Sequence, residues 1–595
     1  MKTISDKLAA LRKQMKKRKL AAYIIPTQGP HKSEYPADHW SHRAWISGFT
    51  GSAGLVVVTL DTAGLWTDAR YFQQAEEQLE GSGIEFHKTG VADSIDPVSW
   101  LINHLDEGDR VGAAALATMQ AEVSSYKAKF KKAKLKFSTT DDLIGVVWKD
   151  RPDLLSDKIF EHDEAYAGQS RPDKLKALRK ELKRKSTDAT LITALDEIGW
   201  ILNLRGSDVP FNPVFYAYLW VEKKKAILFI DPSKVNTPLL IKLSKQHIEI
   251  VDYNKINKRL KKISKGKSVA IDKSNTNAAI YEMINAKKIV EIDAPAKHLK
   301  AIKNDVEIGH LKKAMVKDGV SLVQAFYWLD RLLASGATIT EFEFGLKLAE
   351  YRSHQEGYFG ESFNPIVGYQ SNGALMHYRA EKNNCSRIEN HGVLLVDSGG
   401  QYLDGTTDIT RTFALKGVSD EQKKHYTLVL KGHIALAKAK FPEGTVGIQL
   451  DALARQFLWN AGLDFGHGTG HGVGFFMNVH EPPQGFANKL TERGKTVHKI
   501  GMYSSNEPGY YEVGSHGIRL ENLVICVSAG EGSGFLRHET ITVYPFDLNF
   551  IDRSLMTNDE VAWLNAYHRK VEKKLEPHLD QDATGWLKWQ CRPID

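Results

Sequence analysis

The chain has 595 residues, a net charge of +8 from 80 Lys and Arg against 72 Asp and Glu, and 42% hydrophobic residues. A single hydrophobic core does not extend over this length, so two to four globular domains are expected. The charge excess is small and no recognition motif accompanies it, which argues against nucleic-acid binding.

Cysteine content and the N-terminus bear on cellular location. Only Cys385, Cys526 and Cys591 are present, and they form no C-x-x-C pair, so neither a disulfide framework nor a structural zinc site is indicated. Residues 1–20 resemble a charged amphipathic helix and lack the apolar segment of a secretory signal. No apolar run approaches the length of a membrane span. We therefore expect a cytoplasmic protein with no membrane partner.

The first half of the chain contains a degenerate repeat. Residues 7–13 (KLAALRK) recur as residues 174–180 (KLKALRK), and in each copy a helical pattern is followed by a strand-like run. Alternating helices and strands favour an α/β class for both copies. Polar, proline-marked segments predict two domains of similar design, residues 1–155 and 156–300.

Residues 301–595 form a third predicted domain of mixed α+β character. Long helical patterns over residues 305–334 and 340–356 lead into strands interrupted by glycines, and the tail predicts two closing helices, residues 558–576 and 583–590.

Five residues of this third domain stand in strand-like or tight-loop contexts: Asp397, Asp408, His471, Glu507 and Glu521. Spacing and glycine content suggest that the first two share one hairpin and the last two share another. Four carboxylates brought together without cations would repel one another. Two hard or borderline divalent cations remove that repulsion and acidify a bridging water to hydroxide. From residue types and spacing alone, the prediction is a dinuclear hydrolase.

Several motifs around these residues resemble those of the pita-bread metallopeptidases, the family of methionine aminopeptidase, prolidase and aminopeptidase P. The order Asp, Asp, His, Glu, Glu matches in full, and within the family the chain is most similar to the long, three-domain cytosolic aminopeptidases P. The resemblance implies two creatinase-like α/β domains and a C-terminal pita-bread catalytic domain with a helical extension. The matching segments are 47–54 (SGFTGSAG), 66–71 (WTDARY), 363–368 (FNPIVG), 467–474 (HGTGHGVG), 479–481 (VHE) and 505–511 (SNEPGYY).

The resemblance implies a division of roles among the five residues. Asp408 and Glu521 would bridge two divalent metal ions, Asp397 would bind one ion, and His471 with Glu507 would complete the other. Glu507 would also carry protons during catalysis. The metal would be Mn²⁺, as is most common in the family, and Zn²⁺ or Co²⁺ also suit such ligands.

Further residues acquire roles only through the resemblance. His480 would contact the tetrahedral intermediate, His377 would contact the substrate or leaving group, and His467 would line the pocket. Arg519 would orient a bridging carboxylate. Arg70 would reach the active-site mouth of a second subunit and bind longer substrates.

The implied activity is a metal-dependent aminopeptidase. It would release the N-terminal residue from peptides with proline at the second position, through a metal-bridging hydroxide, as a homodimer. Three alternatives remain at this point: a prolidase that cuts Xaa-Pro dipeptides, a creatinase-type amidinohydrolase, which lacks the metal ligands, and a non-catalytic pita-bread binding protein.

Overall fold

The computed structural model describes residues 3–595. It divides into two compact units: Met1–Asp163 with Gln169–Ala296, and Glu164–Gly168 with Lys297–Asp595. Among the described residues, no helix combines the length and apolar content needed to cross a membrane.

The first unit contains two six-stranded mixed sheets. In spatial order, the first sheet consists of Glu85–Lys88, Ala63–Thr67, Leu55–Thr59, Ala22–Pro26, Arg110–Ala114 and Lys136–Thr140. The second consists of Ile248–Val251, Ala226–Phe229, Tyr218–Glu222, Ala189–Ile192, Ser268–Ile271 and Lys288–Glu291. The two sheets also agree in strand direction. In each sheet, the fourth strand in spatial order is antiparallel to the third and parallel to the fifth.

Helices flank these strands in both halves of the unit. Those of the first half are Ile4–Lys17, His42–Ser47, Phe72–Leu79, Pro97–His104, Gln120–Lys132 and Leu143–Val147, and those of the second are Arg171–Arg184, Leu195–Leu202, Thr237–Lys245, Ile256–Ile263 and Ala278–Glu282. The two repeated segments each fall in the first long helix of a half. The expectation of two α/β folds of similar design is therefore confirmed, while the boundaries near residues 155 and 300 stay predictions.

The second unit combines long helices with several small antiparallel sheets. Its helices are Glu164–Ala167, Asp305–Ala334, Glu341–Ser353, Asp420–Lys438, Gly447–Asn460, Glu492–Lys495, Asn558–Leu575 and Gln581–Gln590, together with residues 297–301 of the helix Pro295–Ala301. The longest begins where expected because the Asn304 side chain accepts hydrogen bonds from the N–H groups of Val306 and Glu307, and Glu307 accepts one from the Asn304 N–H. The two predicted closing helices are also present.

Three groups of strands of the second unit frame the candidate site. A six-stranded sheet has the order Lys440–Pro442, Phe535–Thr540, Asn522–Ser528, Tyr503–Asn506, Gly470–Gly472 and Glu481–Phe486. A three-stranded sheet has the order Ile366–Tyr369, Val393–Ser398 and Ile409–Ala414, and Gly509–Glu512 pairs with His516–Arg519 in a hairpin. The remaining strands are Tyr358–Glu361, Gly400–Tyr402, Gly405–Thr406, Ile339–Thr340 and Arg387–Ile388.

The larger of two hydrophobic cores in this unit joins most of these elements. Buried side chains from the long helix, the strands and the closing helices pack in a single cluster that includes Phe326, Val396, Tyr426, Ile525 and Leu564. The strands that carry the candidate site therefore rest on a rigid base.

Candidate metal centre

Asp397 and Asp408 stand at the same end of one strand pair. Strand Val393–Ser398 runs antiparallel to strand Ile409–Ala414, with Asp397 opposite Thr410. Asp408 immediately precedes the second of these strands. Both aspartates are buried, and the pairing agrees with the hairpin expected from their spacing.

Glu507 and Glu521 occupy equivalent positions on a second strand pair. Strands Tyr503–Asn506 and Asn522–Ser528 are antiparallel, so that Glu507 follows the end of the first and Glu521 precedes the start of the second. The Glu521 N–H donates to the carbonyl oxygen of Thr410 at 3.0 Å. Since Thr410 belongs to the strand beside Asp397, this bond brings the two pairs of acids together.

His471 enters the cluster from the strand Gly470–Gly472. Its Nε2 lies 3.5 Å from Oδ2 of Asp408 and 3.3 Å from Oε1 of Glu507. Nδ1 lies 3.0 Å from the Gly472 carbonyl oxygen, so the proton belongs on Nδ1 and the Nε2 lone pair is available to a cation. A Cβ at Gly470 would lie 2.1 Å from the Ser505 carbonyl oxygen, which explains the glycine beside the ligand.

The cluster has the donor set and the unsatisfied atoms of a metal site. Ligand atoms of Asp408, His471 and Glu521 all lie within 4.8 Å of one another. Asp397 Oδ1 and Glu521 Oε1 are buried and have no hydrogen-bond partner among residues 3–595. A buried carboxylate oxygen without a partner is costly, and divalent cations bound in this cluster would satisfy both of these oxygens. The residues therefore fit a carboxylate-bridged pair of cations.

Burial and mutual repulsion raise the pKa values of two of these acids. Burial, followed by the charges of Glu521, Asp397 and Glu507, raises the pKa of Asp408 well above its ordinary value. Burial, followed by Glu507 and Asp397, does the same to the pKa of Glu521. Positive charge supplied to the cluster would favour the ionised forms of Asp408 and Glu521.

Arg519 supplies part of that positive charge, at a position that differs from expectation. Its Nη2 donates to Oδ2 of Asp397 at 2.6 Å, and Asp397 is not one of the two carboxylates expected to bridge. Arg519 reaches Glu521 only through Thr410: Nε donates to Thr410 Oγ1 at 3.2 Å, and that hydroxyl donates to Glu521 Oε2 at 2.9 Å. Arg519 is the last residue of one strand, whereas Glu521 lies just before the next strand. The two side chains therefore do not share a strand face, and Arg519 does not contact Glu521 directly.

Tyr511 links Arg519 to His467. Arg519 Nη1 donates to the Tyr511 hydroxyl oxygen at 2.6 Å, and this oxygen lies 2.8 Å from Nε2 of His467. His467 Nδ1 lies 2.8 Å from the Gly468 carbonyl oxygen. An imidazole that carries its proton on Nδ1 satisfies all these contacts: Nδ1–H donates to the Gly468 carbonyl oxygen, and Nε2 accepts a hydrogen bond from the Tyr511 hydroxyl.

His480 lies beside the cluster, edge-on to the ring of His471 with 4.3 Å between the ring centres. The next residue, Glu481, is buried and forms an ion pair with Lys300 at 2.9 Å and another with Lys303. These two pairs hold the start of strand Glu481–Phe486 and hence the position of His480.

The remaining two predicted residues take no part in the contacts described above. His377 is half-buried in the loop after residues 370–374. Residues 370–374, just before this loop, are held against the hairpin that ends at Arg519, since a Cβ at Gly517 would lie 1.7 Å from the Gly373 carbonyl oxygen. Arg70 belongs to the first unit, where Asp68 accepts two hydrogen bonds of 2.8 Å from its guanidinium.

Sequence reasoning did not identify Thr410, Arg411 or Tyr511. Arg411 is fully buried and donates to the carbonyl oxygen of Glu521 at 2.5 Å and to that of Pro545 at 2.8 Å. An arginine and two threonines inside an otherwise apolar strand were the available signal, because a buried charge requires several partners.

Comparison with known proteins places these features in a family. The model of metallopeptidase family M24 matches residues 309–528, its C-terminal region matches residues 534–594, and Creatinase/Prolidase N-terminal domains match residues 7–147 and 150–307.

Full-length relatives agree with the family models. The chain is 39% identical to "Probable Xaa-Pro aminopeptidase P" of Laccaria bicolor, over 99% of this chain and 94% of that protein. It is 39% identical to "Aminopeptidase P2" of Arabidopsis thaliana, over 99% of this chain and 89% of that protein. A crystal structure of X-prolyl aminopeptidase from Caenorhabditis elegans, described as a cytosolic enzyme with a di-nuclear active site, is 35% identical with a TM-score of 0.96 and covers all of both chains.

These matches confirm the predicted family and fold class. The chain belongs to metallopeptidase family M24, in the aminopeptidase P group, with two Creatinase/Prolidase N-terminal domains before its catalytic domain.

Proposed function

We propose that this metallopeptidase releases the N-terminal residue from peptides that carry proline at the second position. The observation that supports this most directly is the convergence of Asp397, Asp408, His471, Glu507 and Glu521 in one buried cluster, within a chain that matches aminopeptidases P from end to end.

The proposed holoenzyme binds two divalent cations per subunit. Asp408 and Glu521 would hold both ions, Asp397 would bind one, and His471 and Glu507 would bind the other. Mn²⁺ is the proposed metal, because carboxylate-rich ligation suits it; Zn²⁺ and Co²⁺ are the other candidates. When bound, the ions would acidify a water molecule and polarise the scissile carbonyl.

The protein's own groups position the substrate and move the protons. Ser505 Oγ donates to Oε1 of Glu507 at 3.0 Å, which orients this carboxylate for taking up the proton of the attacking water and passing it to the proline nitrogen. Arg519 holds Asp397 in place. His480, beside His471, is the proposed contact for the oxygen that becomes negatively charged.

Selection of proline follows from its missing N–H. An X-Pro amide offers no hydrogen to a binding site, so the enzyme must recognise the shape of the pyrrolidine ring. His377, His467 and His480 are the proposed walls of that pocket, with His467 oriented by Tyr511.

Three peptides test the activity and separate it from that of a prolidase. With Mn²⁺ supplied, Xaa-Pro-Pro should be cut after the first residue, whereas Xaa-Ala-Pro should not. Cleavage of the dipeptide Xaa-Pro with no cleavage of the tripeptide would identify a prolidase instead. Complete chelation should abolish turnover and added Mn²⁺ should restore it; activity without metal would reject the dinuclear mechanism.

Two proposals concern the assembled enzyme. We propose a cytoplasmic homodimer, to be checked by sedimentation, in which Arg70 contributes to the binding of longer peptides. Arg70→Ala should then raise KM for longer peptides and leave KM for tripeptides unchanged. Equal effects on both lengths would restrict Arg70 to its structural pair with Asp68.

A further inference from the structure

A second group of metal-binding side chains stands apart from the cluster described above. It consists of His425 on helix Asp420–Lys438, and of Glu512 and His516 on the hairpin 509–519. One ligand atom from each of the three lies within 4.8 Å of the others. We propose that these residues form a separate site for a zinc-like transition metal ion, which fastens the hairpin to the helix.

The two histidines already have the spacing of zinc ligands. His425 Nδ1 and His516 Nε2 are 3.2 Å apart. Two nitrogens bound at about 2.0–2.1 Å to one tetrahedral zinc ion are roughly 3.3 Å apart. Both residues are buried, at 5% and 1% exposure, so packing holds the rings in this arrangement before any ion arrives.

Ser515 prepares His516 for this role. Its Oγ lies 2.8 Å from His516 Nδ1, so a proton on Nδ1 is donated to the hydroxyl and the Nε2 lone pair faces His425. Without metal, the N–H of His425 can donate to that lone pair. A metal ion would replace the proton on His425 Nδ1, so metal binding would release that proton to solvent.

The electrostatic surroundings also favour a cation. Burial lowers the pKa of His425 and that of His516, so both rings are in the neutral form that binds metal at pH 7. Glu512 and Glu421 provide negative charge close to His425, and Lys424 is the opposing positive group.

Glu512 is the adjustable third ligand. Its Oε2 lies 3.9 Å from His425 Nδ1 and 3.8 Å from His516 Nδ1, and 41% of its side chain is exposed. The exposed carboxylate is the one group of the three that can move toward an ion without disturbing the core. Two imidazoles, a carboxylate and a water make a four-coordinate set typical of zinc.

The position of the site gives it a consequence. The same hairpin carries Tyr511 and Arg519, which contact His467 and Asp397. An ion that ties Glu512 and His516 to the neighbouring helix would limit the movement of this hairpin. Zinc bound here would therefore act as a fastener, and it would take no part in the chemical step.

Metal counting on matched variants tests the proposal. The wild-type chain, Glu512→Gln, His425→Gln and the control Glu421→Gln are loaded with Mn²⁺, dialysed against buffered micromolar Zn²⁺ and analysed for metals. Glu421→Gln removes the same charge close to His425 without removing a proposed ligand. We expect one more zinc ion per chain in the wild type and the control than in the other two variants.

A thermal measurement supplies a second readout. Zinc should raise the unfolding temperature of the wild type and of the control by several degrees more than it raises that of Glu512→Gln. The Glu512 side chain is partly exposed, so its replacement should not disturb the core. Equal zinc contents in all four chains would overturn the proposal, and so would a loss in Glu421→Gln as large as that in Glu512→Gln. If His425→Gln does not fold, Glu512→Gln alone decides the outcome.

Discussion

Arg519 Nη2 donates a 2.6 Å hydrogen bond to Oδ2 of Asp397, which lies 122 residues earlier in the chain. Both side chains are largely buried. The other oxygen of Asp397 has no hydrogen-bond partner among residues 3–595. The arginine thus orients the carboxylate by one oxygen and leaves the second for a cation.

Replacing Arg519 should weaken metal binding without removing a metal ligand. Arg519→Lys keeps the positive charge, but a lysine cannot donate hydrogen bonds to Asp397, Tyr511 and Thr410 at the same time, because it lacks the planar guanidinium group. Loss of such an outer contact costs about 10–100-fold in metal affinity. The measurement is metal retention against a competing chelator. Arg387→Lys, at an exposed position, is the control, and equal retention in both variants would contradict the prediction.

Tyr511→Phe should reduce catalysis while the metals stay bound. The change removes the hydroxyl that bonds both His467 and Arg519 but keeps the ring. A lost bond to a charged group costs roughly 1.5–3 kcal/mol, so we expect kcat/KM to fall by about 10- to 100-fold. Tyr510→Phe, one residue earlier, should have little effect. A similar loss in the two variants would show that the Tyr511 hydroxyl is unimportant.

Glu507→Gln should separate metal binding from turnover. An amide keeps one oxygen for a cation but cannot accept and release a proton, and general acid–base catalysis contributes about 10²- to 10⁴-fold. We therefore expect a loss of kcat in that range, with measurable metal remaining. Steady-state kinetics and metal analysis of the same sample measure the two effects separately. Normal turnover would show that Glu507 does not transfer a proton in the reaction. Glu389→Gln, on the surface, is the control.

His31 should make the first unit sensitive to acid. Its Nδ1 lies 2.7 Å from the Thr193 carbonyl oxygen and its Nε2 lies 2.8 Å from the Tyr253 hydroxyl. Burial lowers the pKa of His31 from 6.5 to about 4, so the unfolded chain binds the proton more readily. The contribution of neutral His31 to the free energy of unfolding is fully present above pH 6.5. It is lost as the pH falls toward 4, by about 3 kcal/mol at most.

The variant His31→Gln tests this pH dependence. Glutamine does not titrate, so the stability difference between wild type and variant should shrink as the pH is lowered from 7 to 4.5. Chemical unfolding followed by tryptophan fluorescence measures the difference at each pH. A difference that is constant across this range would show that His31 does not cause the acid sensitivity.

Much of the fold was accessible from the sequence because local patterns and tertiary packing agree. The longest helix follows from its apolar periodicity and from the cap at Asn304, and both are local properties. The repeated segments at residues 7–13 and 174–180 likewise indicated two similar folds, and their sheets have the same strand order. The family could be recognised because its motifs lie in continuous stretches.

The sequence by itself determined the residue types of the candidate site: four carboxylates and a histidine in strand and loop contexts. Only the tertiary structure decided which groups surround them. Arg519 contacts Asp397 and not a carboxylate expected to bridge, and Thr410 joins the two strand pairs. Pairs such as His425 with His516, 91 residues apart, have no local signature, because their proximity depends on how a helix packs against a hairpin.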